Sequence, residues 1–354
     1  MIHGWNRKQT YLLAVVLMLV SMMLLAAFGP SRIRGGGSQS AEPTPRAEGG
    51  QADADPTEAV EATMSTVVYY QDDYGYLVPV TRTIKAEEGV AKATVNLMVK
   101  SVFNDMEAAR MGLRTVIPEG TKVDLDISGG LARIDLSEEA LLCADAAAES
   151  NMVSAIVQTL TDFPTVDRVK FLIGGKEVKE LPHGTSLKNE FTRGVINPEG
   201  GAPEDSQNAV TLYFLNDTPS VIVPVTRAVY GNADLQTAVL ELVKGPGGAS
   251  PLEGVLPSGC GLIGVELKNG VAKINFTESF IRVAEQSDGG RMAMKALVLT
   301  CKNFDGVKDV QILVEGKPYD PGEGTLAMPT FVNSATDIAE AFVRRQSDEL
   351  FDAE

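Results

Sequence analysis

The sequence contains few of the side chains from which catalytic and metal sites are built. Its 354 residues include two histidines and three cysteines, and no Cys-x-x-Cys pair occurs. A general base needs a partner within hydrogen-bond reach, and no set with a serine or cysteine nucleophile can be assembled around His183, which lies in a turn-like segment. A sparse, odd number of cysteines is neither a disulfide framework nor a zinc site. We therefore expect no catalytic residues, metal, cofactor or essential disulfide, and we predict that the protein is not an enzyme.

Basic residues are scarce as well. The chain has 31 Lys and Arg against 47 Asp and Glu, which gives a net charge of −16. Nucleic acids and anionic lipid surfaces are recognised through clustered Lys and Arg. The charge balance therefore argues against either as the main partner, and we expect no nucleic-acid binding.

One long hydrophobic run is present, near the N-terminus. Tyr11 to Phe28 comprises 18 residues, with Ser21 as the one clearly polar side chain. This length is just enough to cross a bilayer and also fits a long signal-peptide core. Phe28 stands where a lipoprotein would carry its cysteine, and the residues around it make a poor cleavage site. We expect residues 1–29 to be a cytoplasmic tip and an uncleaved transmembrane signal anchor, with the bulk of this single-pass cell-membrane protein outside.

The next segment has the composition of a tether. Residues 30–64 open on a glycine run and continue with Ala, Glu, Asp, Thr and Pro, without a periodic apolar pattern. Burial cannot offset the entropy of ordering such a segment. We predict a disordered linker that holds the folded part away from the membrane, although a spacer of no selected length stays an open alternative.

The remaining sequence is an internal repeat. Val78–Arg82, with the sequence VPVTR, recurs as Val223–Arg227. Four more pairs of segments match in the same order: 97–100 with 241–244, 116–120 with 255–259, 130–137 with 270–277, and 163–176 with 304–317. Collinear matches at a nearly constant offset indicate duplication. The predicted domains are copy one (65–195), a linker (196–208), copy two (209–332) and a tail (333–354) whose apolar stripe predicts a helix, packed on copy two or on a partner.

Both copies give the same order of elements, β-β-α-β-β-α-β. Lys268–Gly270 places Asn-Gly between two alternating apolar runs, which is a strong hairpin signal. Pro79 and Pro224 lack a backbone donor, so their strands should lie at a sheet edge or carry a bulge. We predict an α+β fold in which each copy packs two helices on one face of a small mixed or antiparallel sheet.

These segments resemble the GerM (sporulation and spore germination) domain, over residues 65–332. The features that carry the resemblance are the VPVTR strand, the LVKGP helix end, the IPEG and LPSG turns, NGVAKINFT, and FPTVDRV. The resemblance implies the fold of ring-building-motif domains, a Gram-positive endospore-former and a place in the cell envelope. It also implies partners among other envelope or sporulation proteins, with self-association as an option. Family members often carry a lipid-anchoring cysteine, and this sequence has Phe28 at the position where that cysteine would stand.

Acidic and thiol side chains are interpreted through the repeat. Asp124, Asp126 and Asp135 alternate on a predicted hairpin, but copy two has Gly264, Glu266 and Asn275 in their places, so solvated strand-face acids are favoured over a paired-carboxylate site. Cys143 and Cys301 replace apolar residues of the other copy, so we expect both to be buried. Cys260 matches Thr121 at a strand entry, where we expect exposure.

Arg82 and Arg227 occupy one position in both copies, after the proline-marked strand. They are either solvated strand-end cations or a recurring docking contact, and we take them as the candidate interaction residues because Arg is enriched at interfaces. We expect both to be exposed and to contribute little to folding. The expected function is that of a non-catalytic envelope assembly component. A ligand-binding module for a cell-wall or small-molecule signal is the alternative, and a peptidoglycan-cleaving enzyme is disfavoured because no acid/base set is repeated.

Overall fold

The structure is a computed structural model, and it describes residues 62–86, 89–200, 208–216, 221–286, 288, 290–319, 329 and 332–340. The chain from Ala62 onward forms one compact unit that contains both copies. The predicted signal anchor and the linker as far as residue 61 lie outside the described residues. Within those described ranges, no helix has the length and apolar character needed to cross a membrane.

Copy one begins with a two-stranded antiparallel hairpin and continues into a mixed sheet with helices. Its elements are β1 (Thr63–Gln71), β2 (Leu77–Lys85), α1 (Val90–Asn96), α2 (Val102–Ala109), β3 (Val123–Ser128), β4 (Leu131–Leu136), a 3₁₀ turn (Glu138–Leu141), α3 (Ala146–Asp162), β5 (Arg168–Ile173) and β6 (Phe191–Thr192). β3 and β4 are antiparallel, β4 and β5 are parallel, and β5 and β6 are antiparallel.

Copy two repeats this arrangement. Its elements are β7 (Pro198–Glu199), β8 (Asn208–Leu215), β9 (Ile222–Val229), α4 (Leu235–Lys244), β10 (Leu262–Lys268), β11 (Val271–Phe276), a 3₁₀ segment (Glu278–Glu285), α5 (Arg291–Lys302), β12 (Asp309–Val314) and β13 (Lys317–Pro318). Residues 335–340 are helical and are called α6. The second sheet is again mixed, because β11 and β12 are parallel whereas β10 and β13 pair antiparallel.

The α+β fold and the two-copy architecture are confirmed, with three corrections. Each copy divides its strands between two sheets instead of one. The predicted linkers contain strand residues, since β1 begins at Thr63 and β7 lies at Pro198–Glu199. Copy one has an additional helix, α2, where copy two has a glycine-rich loop. Ser101 caps α2 by accepting a hydrogen bond from the Asn104 N–H at 3.2 Å, whereas Gly245 ends α4 at a φ of 78°.

The hairpin prediction is confirmed, and the proline prediction is confirmed for one strand of the two. Lys268 pairs with Val271, so Asn269 and Gly270 form a two-residue loop, and both have positive φ (54° and 84°), as a type I′ turn requires. Pro79 lies on the edge strand β2. The prediction is wrong for the Pro224 strand, because β9 lies between β7 and β8 and pairs with β8 without a bulge. Pro224 is tolerated there because β7 pairs with Thr226 and Arg227 and does not extend to Pro224.

All three cysteines are buried and free. This confirms the expectation for Cys143 and Cys301 and corrects it for Cys260, which is 8% exposed. The Cys260 N–H donates to the Pro257 carbonyl at 3.0 Å, and the resulting turn folds the thiol into the apolar core. Thr121, at the same position in copy one, is buried as well. Burial raises the pKa of the Cys260 thiol to about 11.

The two copies are joined by a reciprocal exchange of their exit segments. The Asn197 side chain, after copy one, bonds the N–H and carbonyl of Leu77 and the Pro224 carbonyl, each at 2.8 Å. Asn333, after copy two, makes the same three bonds to Ile222 and Pro79, at 2.8–2.9 Å. Each exit segment therefore contacts both copies, and the exchange ties copy one and copy two into a single unit.

Candidate interaction site

His183, the one histidine within the two copies, has a structural setting in the folded protein. The exposed His183 ring places Nε2 2.9 Å from the Cys143 carbonyl oxygen, and its backbone N–H donates to Glu149 at 2.9 Å. Glu149 is buried and also accepts from the Thr185 N–H at 2.8 Å. Burial opposes its ionisation, but these hydrogen bonds hold the pKa of Glu149 below its ordinary value. The carboxylate thus fastens the His183 loop to α3.

The three strand-face carboxylates each contact a different group, although Asp124 pairs directly with Asp135 across the β3–β4 ladder. Asp124 pairs with Lys92 at 3.0 Å, Asp126 lies 3.8 Å from Arg133, and the Asp135 side chain accepts from the Gly175 N–H. Asp124 and Asp126 are exposed, as expected for solvated acids. No cluster of three His, Cys, Asp or Glu side chains in the described part of the chain is arranged to hold a metal ion.

Arg227 is an internal anchor of copy two. Its Nε donates to Glu199 at 2.6 Å, Nη1 to the Glu241 carboxylate and carbonyl at 3.1 Å, and Nη2 to the Gly245 carbonyl at 2.8 Å. The guanidinium also lies 5.6 Å above the Phe214 ring. Burial would lower the pKa of Arg227, but hydrogen bonds and charge from Glu199 and then Glu241 raise it. The expectation of an exposed cation is therefore wrong here, since the side chain is 14% exposed and closes the C-terminus of α4.

Arg82 has a different setting, although it occupies the same repeat position. Its Nη2 donates to Glu107 on α2 at 3.1 Å, and the side chain is 16% exposed, so it too is less exposed than expected. Glu107 also pairs with Arg110 at 2.6 Å. Arg82 lines an open pocket of about 420 Å³, which we call the Arg82 pocket; its other lining residues are Ser65, Thr81, Thr83, Glu107, Arg110, Met111, Ser334, Ala335, Thr336 and Ala339.

The repeat explains why a pocket exists in copy one. Leu97 takes the place of Glu241, so one of the two carboxylates that hold Arg227 is missing. Ser334 pairs with Thr81 as Pro198 pairs with Thr226, and the next residue, opposite Arg82, is Ala335 instead of Glu199. The place that the Glu199 carboxylate fills beside Arg227 is therefore open beside Arg82, where Glu107 supplies the one carboxylate partner among the described residues.

Helix α2 carries an exposed apolar face next to this pocket. Val102, Phe103 and Met106 have exposed fractions of 79%, 67% and 56%. Arg110 follows Met106 by four residues and so lies on the same side of the helix as these apolar residues. We call Val102, Phe103 and Met106 the α2 face. Together with the Arg82 pocket it forms a candidate interaction site that combines apolar surface with guanidinium groups.

Arg82 was a candidate interaction residue from its place in the repeat, whereas nothing in the repeat indicated the rest of this site. The signal for α2 is the spacing between matched segments: residues 101–115 separate two of them in copy one, and only residues 245–254 do so in copy two. Copy two has no segment equivalent to this insertion, so an alignment of the two copies does not reveal α2. That Ala335 stands in the place of Glu199 can be recognised only from the pairing of the exit segments with β2 and β9. The effect of Leu97 in the place of Glu241 likewise depends on what surrounds each arginine in the fold.

The fold and the site define the chain as a tandem α+β repeat protein with an asymmetric surface site on copy one. The Germane family, described as sporulation and spore germination, matches residues 67–179 and 211–320. These two regions cover more than half of the chain, so the chain belongs to this family.

One relative and one solved structure from Bacillus subtilis (strain 168 for the relative) are similar to most of the chain. The spore germination protein GerM is 28% identical over 284 residues, which are 77% of each protein. The solved structure of the tandem GerMN domains of the sporulation protein GerM covers 77% of this chain and 99% of that one, with a TM-score of 0.66 and 28% identity. The solved first GerMN domain of the same protein is 31% identical and covers 37% of this chain and 98% of that one, with a TM-score of 0.34.

Proposed function

We propose that the chain is a non-catalytic, membrane-anchored component of a multiprotein complex in the cell envelope, acting in sporulation or spore germination. The family and the similarity to GerM of Bacillus subtilis support the process. The observation that carries the assembly role is the α2 face, which presents three large apolar side chains to solvent beside a charged pocket. Exposed apolar patches of this kind mark interaction surfaces.

The proposed location rests on the sequence. The apolar run Tyr11–Phe28 has the length of a transmembrane helix, so one pass through the cell membrane would leave both copies outside the cytoplasm. Other envelope or sporulation proteins on the same side of the membrane are the partners proposed for the α2 face.

The test compares two pairs of apolar side chains in a spore-forming host. The double variant Phe103→Ser and Met106→Ser removes most of the α2 face. The matched control is Ile263→Ser with Ile281→Ser, because both isoleucines are 50% exposed and lie in copy two. We expect the α2 variant to lower spore yield or germination and to release the protein from its membrane complex, with thermal unfolding unchanged. Equal behaviour of the two double variants would overturn the proposal.

A further inference from the structure

We propose that the Arg82 pocket binds the carboxylate side chain of an acidic segment in a partner protein, and that the Arg227 site of copy two shows this arrangement already filled from within the chain. The proposal rests on the assembly role proposed above, and it names the partner chemistry for the same site.

The first support is the pairing register of the exit segments. Pro198 and Glu199 pair in parallel with Thr226 and Arg227, which brings the Glu199 carboxylate within 2.6 Å of Arg227 Nε. In copy one, Ser334 pairs with Thr81, but the chain then enters α6 at residue 335. Ala335 has no carboxylate to offer, so the position that Glu199 fills in copy two is left to a group from elsewhere.

The second support is the number of guanidinium donors in use. An arginine side chain has five N–H donors. Arg227 makes four hydrogen bonds, to Glu199, to Glu241 (two) and to Gly245. Arg82 makes one among the described residues, from Nη2 to Glu107. A carboxylate entering the pocket would meet unused N–H groups, and such charge-assisted bonds are the strong ones.

The third support is the local charge and polarity of the pocket. Two guanidinium groups, Arg82 and Arg110, share the single carboxylate of Glu107, which leaves a positive excess on a chain whose net charge is −16. The residues that line the pocket also include Ser334 and Thr336, whose hydroxyl groups are of the kind that donates to an anion. This combination favours a carboxylate over a cation or an apolar group.

The α2 face selects a peptide segment over a small acid. Phe103 and Met106 lie on the helix that supplies Glu107 to the pocket and is followed directly by Arg110, so a segment with one acidic and one apolar side chain can contact both parts. The apolar contact supplies burial, and the carboxylate fixes the register through directional hydrogen bonds. The expected partner motif is therefore an extended stretch in which an acidic residue lies close to an apolar one.

The experiment uses the purified full chain in detergent and a peptide defined by copy two. The probe is the end-blocked hexapeptide VINPEG, which is the sequence of residues 195–200 and carries the glutamate that binds Arg227. The control peptide has Gln in place of that Glu. Arginine side-chain N–H signals are followed by NMR at matched ionic strength, and the Arg82 signal is identified by its loss in Arg82→Gln.

We expect the Glu peptide to shift the Arg82 signal saturably, with an affinity at least about tenfold above that of the Gln peptide. The Arg227 signal should stay unchanged, because Glu199 already holds that side chain. Absence of a saturable shift, equal effects of both peptides, or an equal shift at Arg227 would overturn the proposal. A dimer of the full chain that Arg82→Gln abolishes would identify a second copy as the occupant and would also overturn it.

Failure of the inference and failure of the proposed function are distinguishable. Peptide binding is read from the purified chain, whereas the assembly role is read from spores and membrane complexes. If the chain binds the Glu peptide but the α2 variant behaves normally in cells, carboxylate binding by the pocket is supported and the assembly role is overturned. If the α2 variant fails in cells but the Glu peptide does not bind, the assembly role is supported and carboxylate binding by the pocket is overturned.

Discussion

Arg227→Ala is expected to destabilise the protein much more than the same change at Arg82. Removing the Arg227 side chain takes the guanidinium partner from Glu199 and Glu241, which are 15% and 14% exposed, and leaves them the Gly247 N–H and Lys244, respectively. It also leaves the Glu241 and Gly245 carbonyls without their donor. Removing one partner of a buried ion pair costs about 3–5 kcal/mol, and slight solvent access at this site reduces the expected cost to about 2–4 kcal/mol.

Arg82→Ala removes a single hydrogen bond to Glu107, which keeps Arg110 as a partner. The expected cost is at most about 1 kcal/mol, in the range of partly exposed ion pairs. The two variants therefore form a matched pair, because the residues occupy the same repeat position and differ in the number of groups that each holds.

The assay is thermal unfolding of the full chain, followed by circular dichroism. At roughly 2–4 °C for each kcal/mol, Arg227→Ala should lower the Tm by about 4–16 °C and Arg82→Ala by less than about 4 °C. Arg227→Met, which keeps apolar contact with Phe214 but removes the charge, should remain close to the alanine variant. Equal Tm shifts for Arg82→Ala and Arg227→Ala would refute the assignment of Arg227 as an anchor and Arg82 as an open site.

Three further predictions concern the rest of the fold. Protein unfolded without reductant should show three free thiols on labelling, and two thiols missing from that count would contradict this. The thiols of the native protein should react slowly with the label, because burial raises the pKa of each above its ordinary value. Asn197→Ala and Asn333→Ala should each cost about 1–3 kcal/mol in denaturant unfolding, because each side chain donates to the proline carbonyl of the other copy. A large cost at one position alone would contradict the reciprocal exchange. The depressed pKa of Glu149 means that its contribution to stability is complete above the unfolded value of about 4.3 and is lost as pH falls through the folded pKa. Glu149→Gln should therefore flatten the acid limb of the stability profile below about pH 4.3 and leave its slope above that pH unchanged, and an unchanged acid limb would contradict this.

Features that local sequence specifies were predictable. The Asn269-Gly270 turn depends on two adjacent residues that accept positive φ, and the edge placement of Pro79 follows from its missing donor. The duplication also predicted that Cys301 is buried, because the equivalent residue of copy one is Leu160. Both side chains are fully buried in the structure. Each of these conclusions needs only the residue, its neighbours or its repeat partner.

Features that depend on distant segments were not predictable in this way. Arg227 is held by Glu199, 28 positions earlier, whose segment was assigned to a linker. Asn333 bonds Pro79 across 254 positions, which no periodicity reveals. The single VPVTR motif thus places its arginine in two environments, because the groups that surround it come from the parts of the sequence where the two copies differ.

Copy one is proposed to carry the surface through which the protein joins a complex. The most direct measurement is site-specific photo-crosslinking in sporulating cells, with a benzophenone side chain at position 103 and, as the control, at position 281, since Phe103 and Ile281 are both exposed. We predict a discrete partner adduct from position 103 that Arg82→Gln weakens, and no adduct from position 281. An adduct from position 281 alone, or none from position 103, would contradict the claim.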